Sequence, residues 1–429
     1  MMLDTNEEIK QKAILIGLNN THKPSEIDIE ASVDELEELA KTAGAEVLIK
    51  TIQNRPSVDV TYYIGKGKVE ELKQLSLDYD ANLVIFNDEL SGSQIRNLEE
   101  ALGIDVIDRT TLILDIFAQR AQTKEGKLQV ELAQLKYRLP RLVGLGKELS
   151  RLGGGIGTRG PGEKKLETDK RHILKRIDDV EAQLKEVKKN RDIQRAQRIK
   201  SDLPIVAMVG YTNAGKSSLM NALLNMSLDS EESKHVYVED KLFATLDTSL
   251  RKLTFEEKLA FILTDTVGFV SKLPHSLVKA FKATLEEVKF ADLLLHVIDV
   301  SNENYALQKN TTLKVLKDLG VEEKKIIDVY NKTDKIEDVI ISKESEKSIN
   351  ISATEGIGLI ELISIIREEV GNETTNAKLS IPYDEGGMLS QLHKEAISIE
   401  TEYVTEGVMC NVILETKYYD KYKKYVLQN

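Results

Sequence analysis

No tryptophan occurs in the chain, and aromatic residues make up only 5% of it, so the stacking platforms that grip single-stranded nucleic acid are poorly supplied. A single cysteine, Cys410, excludes an intrachain disulfide and any multi-cysteine zinc site. The six histidines (His22, His172, His235, His275, His296 and His393) are scattered without metal-ligand spacing. No apolar run approaches the ~20 residues a membrane span needs, and the opening "MMLDTNEEIKQKA" has neither a basic nor an apolar signal region. The expectation is a monomer of the cytoplasm without a membrane span, any membrane association being peripheral and partial. The remainder, 41% hydrophobic and 30% charged over 429 residues, suffices for about two to four cored domains.

Charge is scarce in one sign overall but segregated along the chain. The net charge is −12, yet residues 111–200 hold 22 Lys and Arg against 12 Asp and Glu. Within residues 136–176 the balance is 12 basic to 4 acidic. Two readings compete, a solvated helix face and an arm that binds a polyanion; segregation inside an acidic protein favours the second. The basic region contains "RLGGGIGTRGPGEKK", in which six of the chain's 25 glycines fall between Gly153 and Gly162. Glycine loses the most backbone freedom on ordering, so the stretch is either a slack linker or a backbone that must approach something closely.

Four runs, "AILIGL" (13–18), "EVLIKT" (46–51), "NLVIFN" (82–87) and "IDVID" (104–108), alternate with helical patterns and predict a small parallel α/β unit over residues 1–109. "GKGK" at Gly65–Lys68 lacks a full phosphate or dinucleotide fingerprint and reads as a strand-to-helix turn. The pattern is helical from Thr110 to about Leu139. A second helix begins near Glu163, with a heptad seam of Leu166, Ile173, Ile177, Val180, Leu184 and Val187. The two predict a long antiparallel hairpin over residues 110–200 with the glycines at its tip, the alternative being two helices folded onto separate neighbours. Asp202-Leu203-Pro204 ends the helix. Strands and amphipathic helices then alternate through residues 201–370, and residues 371–429 read as a small α+β unit.

"GYTNAGKSS" follows the apolar run "PIVAMV" and precedes a helical pattern, the context that G-x-x-x-x-G-K-[ST] requires. Gly210, Tyr211, Thr212, Asn213, Ala214, Gly215, Lys216, Ser217 and Ser218 are therefore expected to bind a nucleotide, Lys216 reaching the β- and γ-phosphates and Ser217 ligating Mg²⁺. In "LAFILTDTVGF", Asp265 ends an apolar strand and can hold the metal from behind its first ligands, while Thr266, Val267 and Gly268 lie where backbone can reach the γ-phosphate. Between them "FATLDT" supplies Phe243, Ala244, Thr245, Leu246 and Asp247, with Thr245 the expected second hydroxyl on the metal and Thr248 only three residues away.

The base is read further on. "NKTD", comprising Asn331, Lys332, Thr333 and Asp334, follows "KIIDVY". A carboxylate accepts guanine's N1–H and exocyclic amine together, and adenine has no such amine there. "ISAT" adds Ser352, Ala353 and Thr354, with the Ala353 N–H a donor for guanine O6. In this order the elements spell a P-loop GTPase that takes GTP and GDP.

The order of "GGGIGTRGPGE", "GYTNAGKS", "FATLDT", "DTVGF" and "NKTD" resembles the HflX-type GTPases of the translation-factor class, from about residue 13 to about residue 370. The resemblance implies association with the large (50S) ribosomal subunit and its rRNA, hydrolysis stimulated by ribosomes, and a role in splitting, rescue or biogenesis of ribosomes. The arm residues Arg151, Arg159, Lys164 and Lys165 are the expected phosphate contacts.

Phe269 stands where small GTPases commonly carry a water-orienting Gln, so no catalytic residue is assigned and slow basal turnover is expected; the family is similarly apolar there. Asn213 matches a potassium ligand of related cation-activated GTPases, against the alternative that it serves only turn geometry. A GTP-stabilised assembly or RNA-binding factor, with incidental hydrolysis, is the competing function. An RNA-remodelling ATPase is disfavoured by "NKTD".

Overall fold

The four N-terminal runs are strands of one parallel sheet. The computed structural model describes residues 10–23, 28–152, 161–199, 203–228, 243, 249–256, 259–266, 268–272, 288–321, 323–336, 347–370, 374–396 and 398–427. Strands β1 (Lys12–Asn20), β2 (Glu46–Arg55), β3 (Leu83–Phe86) and β4 (Asp105–Asp108) lie in the order β2-β1-β3-β4, every pair parallel. Ala13 to Ile16 of β1 are buried on both faces of the sheet. A strand covered on both sides has no solvent face to alternate with, hence its continuous apolar reading. Helix α1 (Ile29–Thr42) starts at Asp28, whose carboxylate accepts the Glu30 and Ala31 amides. Gly65 is the N-cap of α2 (Lys66–Asp78), and "GKGK" is the turn expected. In front of α3 (Gly92–Leu102), Ser91 and Gln94 form a reciprocal capping box.

The helical pattern read as continuous after Thr110 is two helices. Helix α4 (Arg109–Arg120) turns Leu112, Ile113, Ile116 and Phe117 into the core under the sheet. Ala121 then leaves the helical region at φ −65° and ψ 110°. Thr123 restarts the chain, accepting the Gly126 amide at 3.0 Å ahead of α5 (Lys124–Leu152), which continues through Pro140. Both helices keep one apolar rhythm, so periodicity alone could not reveal the break.

Helix α6 (Pro161–Ile199), with Pro at its first position, returns along α5. Leu128 and Leu132 of α5 pack with Ile177 and Val180 of α6, flanked by Ile173, Leu184 and Val187 of the predicted seam. Ion pairs run across the hairpin: Arg176 Nε and Nη2 to Glu131 at 2.5 and 2.9 Å, Lys136 to Glu181 at 2.6 Å and Arg191 to Glu125 at 2.9 Å. The start of α5 meeting the end of α6 makes the pair antiparallel, as expected. Residues 153–160 of the glycine stretch, and with them Arg159, lie outside the described residues, as do the side chains of Arg151, Lys164 and Lys165.

A six-stranded sheet follows, in the order β10-β9-β8-β5-β7-β6. It contains β5 (Ile205–Gly210), β6 (Ser249–Thr254), β7 (Ala260–Asp265), β8 (Leu293–Asp299), β9 (Lys325–Asn331) and β10 (Ser348–Asn350). Only β6 is antiparallel to its neighbour. Helices α7 (Lys216–Met226), α8 (Tyr305–Asp318) and α9 (Leu359–Val370) cover the sheet, with Leu219 and Leu223 on one face and Leu316 on the other. His296 of β8 is buried 3.0 Å from Asp328, a packed residue as its isolation in the sequence implies.

The last unit is antiparallel: β11 (Thr374–Ile381), β12 (Ser398–Val404) and β13 (Gly407–Glu415), in the order β11-β13-β12, with α10 (Gly386–Glu395) and α11 (Thr416–Tyr422). Cys410 is a core residue here, its thiol pushed up by burial. The architecture is α/β: a P-loop domain preceded by a small parallel α/β unit and a helical hairpin, and followed by a small α+β unit. Among the described residues no helix is long and apolar enough to cross a membrane.

Candidate functional site

Strands β5, β7 and β9 run parallel and end at one edge of the sheet, the edge where open α/β sheets bind ligands. Among the described residues, four of the expected nucleotide segments converge there because each ends or follows a strand. Gly210 closes β5, Asp265 closes β7, Asn331 closes β9, and Ser352 follows β10. Between β5 and α7 the chain turns through Asn213 at φ 59° and Gly215 at φ 89°. A Cβ on Gly215 would stand 2.2 Å from Asn331 Nδ2, so both the left-handed backbone and the close approach require glycine.

Lys216, the first residue of α7, folds back over this loop, donating to the carbonyls of Gly210 at 3.1 Å and Tyr211 at 2.7 Å. Burial pushes its ammonium down to about 8, the Lys332 charge working in the same direction and Asp265 against it. A buried cation whose hydrogen-bond partners among the described residues are carbonyls is primed for an anion. Ser217 donates to Asp265 Oδ2 at 2.7 Å. A hydroxyl backed by a carboxylate is an all-oxygen set suited to Mg²⁺, which keeps phosphate and water ligands besides. Thr266, buried, turns its hydroxyl onto the Met208 carbonyl at 2.7 Å and so ties β7 to β5.

Asn331 braces two loops at once. Its Nδ2 donates to the Ala214 carbonyl at 2.9 Å, and its Oδ1 accepts the Ala353 amide at 3.0 Å. The Ala353 N–H, expected to face guanine O6, is in this structure directed at Asn331. Lys332 sits at φ 67° with its ammonium 2.7 Å from Asp299, and the Thr333 hydroxyl holds the Ile351 carbonyl at 2.9 Å. Asp334 Oδ1 accepts from Ser352 Oγ at 2.6 Å, and Thr354 Oγ1 lies 3.2 Å from that hydroxyl. The carboxylate expected to read the base is thus fixed from the following loop.

After β7, Gly268 passes so close to the phosphate loop that a Cβ would meet Thr212 Cα at 2.8 Å. Phe269 pairs its backbone with that loop: its N–H reaches the Gly210 carbonyl at 3.1 Å, and its carbonyl accepts the Thr212 amide at 2.8 Å. Its ring is buried with Tyr211 and Val288, so it offers nothing to a water molecule. Phe243 is buried; Ala244, Thr245, Leu246, Asp247, Thr248 and Val267 lie outside the described residues. Sequence reasoning missed Asp299, Ser271, Glu35 and Arg109. Only the Asp299 position, at the end of an apolar strand, carried any signal.

Known proteins resemble the chain along its whole length. The family model for the "50S ribosome-binding GTPase" matches residues 205–332, and those for the "GTP-binding GTPase" N-terminal part and middle region match residues 30–118 and 120–198. GTPase HflX of Caldanaerobacter subterraneus subsp. tengcongensis is 49% identical over 427 residues, which is 99% of this chain and 96% of that protein. GTPase HflX of Escherichia coli K12 is 40% identical over 401 residues, 92% and 91% of the two chains. The crystal structure of a GTP-binding protein from the archaeon Sulfolobus solfataricus in complex with GDP, 25% identical, covers 84% of this chain and 98% of its own with a TM-score of 0.44. A P-loop between β5 and α7, Asp265 at the end of β7 and an Asn-Lys-x-Asp turn at one sheet edge, in a chain of which the two HflX relatives match 99% and 92%, mean that the protein belongs to the HflX family of GTPases and hydrolyses GTP.

Proposed function

We propose that the protein is a ribosome-associated GTPase whose basic helical hairpin engages the RNA of the large subunit, in splitting, rescue or biogenesis of ribosomes. The observation that carries this reading is the hairpin itself. Its two helices are locked together by a seam and three ion-paired positions, and in the sequence the basic glycine stretch joins them. A stiff arm with a side-chain-poor basic end suits a crowded polyanion. The 50S ribosome-binding character of the matching family supports the same partner.

At the nucleotide, Lys216 binds the β- and γ-phosphates, Ser217 and Thr245 hold Mg²⁺ with Asp265 behind Ser217, and Asp334 reads guanine. Mg²⁺ held there would neutralise charge on the phosphates, and the chain's own residues orient them. Phe269 supplies no water-positioning group, so turnover is slow until a partner surface corrects it. The finer reading of a K⁺ ion at the phosphates rests on Asn213, in its left-handed turn within the loop between β5 and α7. Replacing Na⁺ by K⁺ should then raise turnover, and Asn213→Ala should shrink that difference; equal rates in the two salts leave Asn213 its turn geometry only.

Co-sedimentation with 50S particles in GTP-analogue, GDP and nucleotide-free states tests the partner. Deleting residues 153–162 should abolish ribosome-dependent turnover while GTP affinity stays within about twofold, because the cut lies ahead of β5 in the sequence and removes none of the nucleotide residues. A shortened protein that responds to ribosomes normally makes the stretch a slack linker. Turnover indifferent to 50S particles in the intact protein favours the assembly-factor reading instead.

A further inference from the structure

One carboxylate of the N-terminal unit reaches into the nucleotide site. Glu35, on α1, accepts at Oε1 from the Tyr211 hydroxyl and from the Ser271 amide, the latter at 3.3 Å, and at Oε2 from the Ser271 hydroxyl and the Arg109 guanidinium. Tyr211 belongs to the phosphate loop, and Ser271 lies three residues beyond Gly268. Arg109, only 2% exposed, completes the cluster. Its Nη2 also donates to Ser271 Oγ at 2.9 Å, and its Nη1 to Asn87 Oδ1 at 2.9 Å and to the Ser32 carbonyl at 3.2 Å. Asn87 is in turn held by Ser32 Oγ, accepting its amide at 2.9 Å.

Contacts of other kinds flank this cluster. Lys272 pairs with Asp88 at 2.6 Å. Val270 and Phe243 are buried in the apolar core under the N-terminal sheet, with the Phe243 and Phe117 ring centroids 4.5 Å apart, edge to face. The segment from Gly268 to Lys272 is therefore clamped twice, by the Phe269 pairing with the phosphate loop and by Glu35 at Ser271. Gly268, whose backbone is expected from the sequence to reach the γ-phosphate, lies next to the first clamp and within three residues of the second.

We infer that Glu35 is a positioning residue of the GTP site: its carboxylate fixes the segment after Gly268 relative to the phosphate loop and so ties recognition of the third phosphate to docking of the N-terminal unit. A preordered segment loses less freedom when it meets the γ-phosphate, so the clamp favours GTP over GDP. Coupling of this kind is reciprocal, and GTP tightens docking of the N-terminal unit by the same factor.

The inference rests on the nucleotide-site reading, and GDP separates the two: failure of the wild-type protein to bind GDP defeats that reading, not the clamp. In the full chain, affinities for GDP and for a non-hydrolysable GTP analogue with Mg²⁺ are compared for wild type, Glu35→Ala, Ser271→Ala and the double variant. GDP affinity should stay within about twofold, while analogue affinity falls about three- to tenfold in each single variant and no further in the double, since both remove one clamp. Multiplying losses, or an unchanged ratio of the two affinities, overturns it.

Tyr211→Phe keeps the buried ring and removes only the hydroxyl bond, so it remains informative if Glu35→Ala destabilises the fold. It should lower the ratio in the same direction by a smaller factor; a wild-type ratio defeats the proposal. Amide exchange over Ile29–Thr42 should slow when the analogue replaces GDP in wild type and not in Glu35→Ala. Identical wild-type protection in the two states has the same adverse meaning.

Discussion

Lys216→Ala is expected to weaken Mg²⁺·GTP binding by at least about 30-fold, because truncating one member of a buried, hydrogen-bonded charge pair costs about 2–5 kcal/mol. Removing the ammonium leaves the phosphates facing the Gly210 and Tyr211 carbonyls that it now covers. Those carbonyls would repel the very group the loop surrounds. Titration calorimetry with a non-hydrolysable analogue measures the loss, and wild-type affinity in the variant would remove Lys216 from the site. Ser217→Ala should weaken the triphosphate less, through the metal, and show its effect mainly when Mg²⁺ is present.

The same lysine makes binding depend on pH in a defined direction. Burial holds it near 8 in the free protein, below the ordinary 10.5, whereas bound phosphates favour its charged form. Below pH 8 the free protein already carries the proton. As pH rises through 8 the proton must be recruited on binding, and affinity should fall by up to about tenfold per pH unit until the bound-state value is passed. Lys216→Ala should lose this slope while retaining any contribution from ionisation of the base.

Asp334→Asn should reverse the choice of base. A carboxylate accepts both guanine donors whereas an amide oxygen accepts only one, and a hydrogen bond to a charged group contributes about 1.5–3 kcal/mol, so guanine affinity should fall by at least about tenfold. Xanthine presents a carbonyl where guanine has its amine, and an amide can donate to it. Xanthosine triphosphate should therefore gain as GTP loses. The Ser352 hydroxyl, 2.6 Å from Asp334 Oδ1, can still donate to the amide oxygen of the variant, which keeps the loop in place. Competition between the two nucleotides reads the result. A guanine-over-xanthine preference equal to wild type would mean that another residue reads the base.

The sequence by itself determined the parallel N-terminal sheet, the hairpin seam and the order of the nucleotide elements. These depend on local spacing: β1 buried on both faces leaves an unbroken apolar run, Ile177 and Val180 repeat at the pitch of a helix pair, and the nucleotide segments at Gly210, Asp265, Asn331 and Ser352 each end or follow a strand. Segments that must bend around a phosphate or a neighbouring loop carry their glycines and hydroxyls in fixed registers, so Gly215 and Ser217 are legible without a structure. The division between α4 and α5 was not, because the interruption spans only residues 121–123 and brings no change of composition.

Only the tertiary structure decided which partners these residues keep. Asn331 could be read as a base-contacting residue, but its brace from Ala214 to Ala353 joins positions more than a hundred residues apart. Nothing local to Glu35, an acidic residue on an amphipathic helix with Glu37 and Glu38 beside it, distinguishes it from a solvated neighbour. Its bonds to Tyr211 and Ser271 exist because α1 and α4 pack on one face of the first sheet and the second sheet docks its phosphate loop against that face. Periodicity records how a residue faces its own element; a carboxylate's partners across two sheets depend on how those elements meet, which no short stretch of sequence encodes.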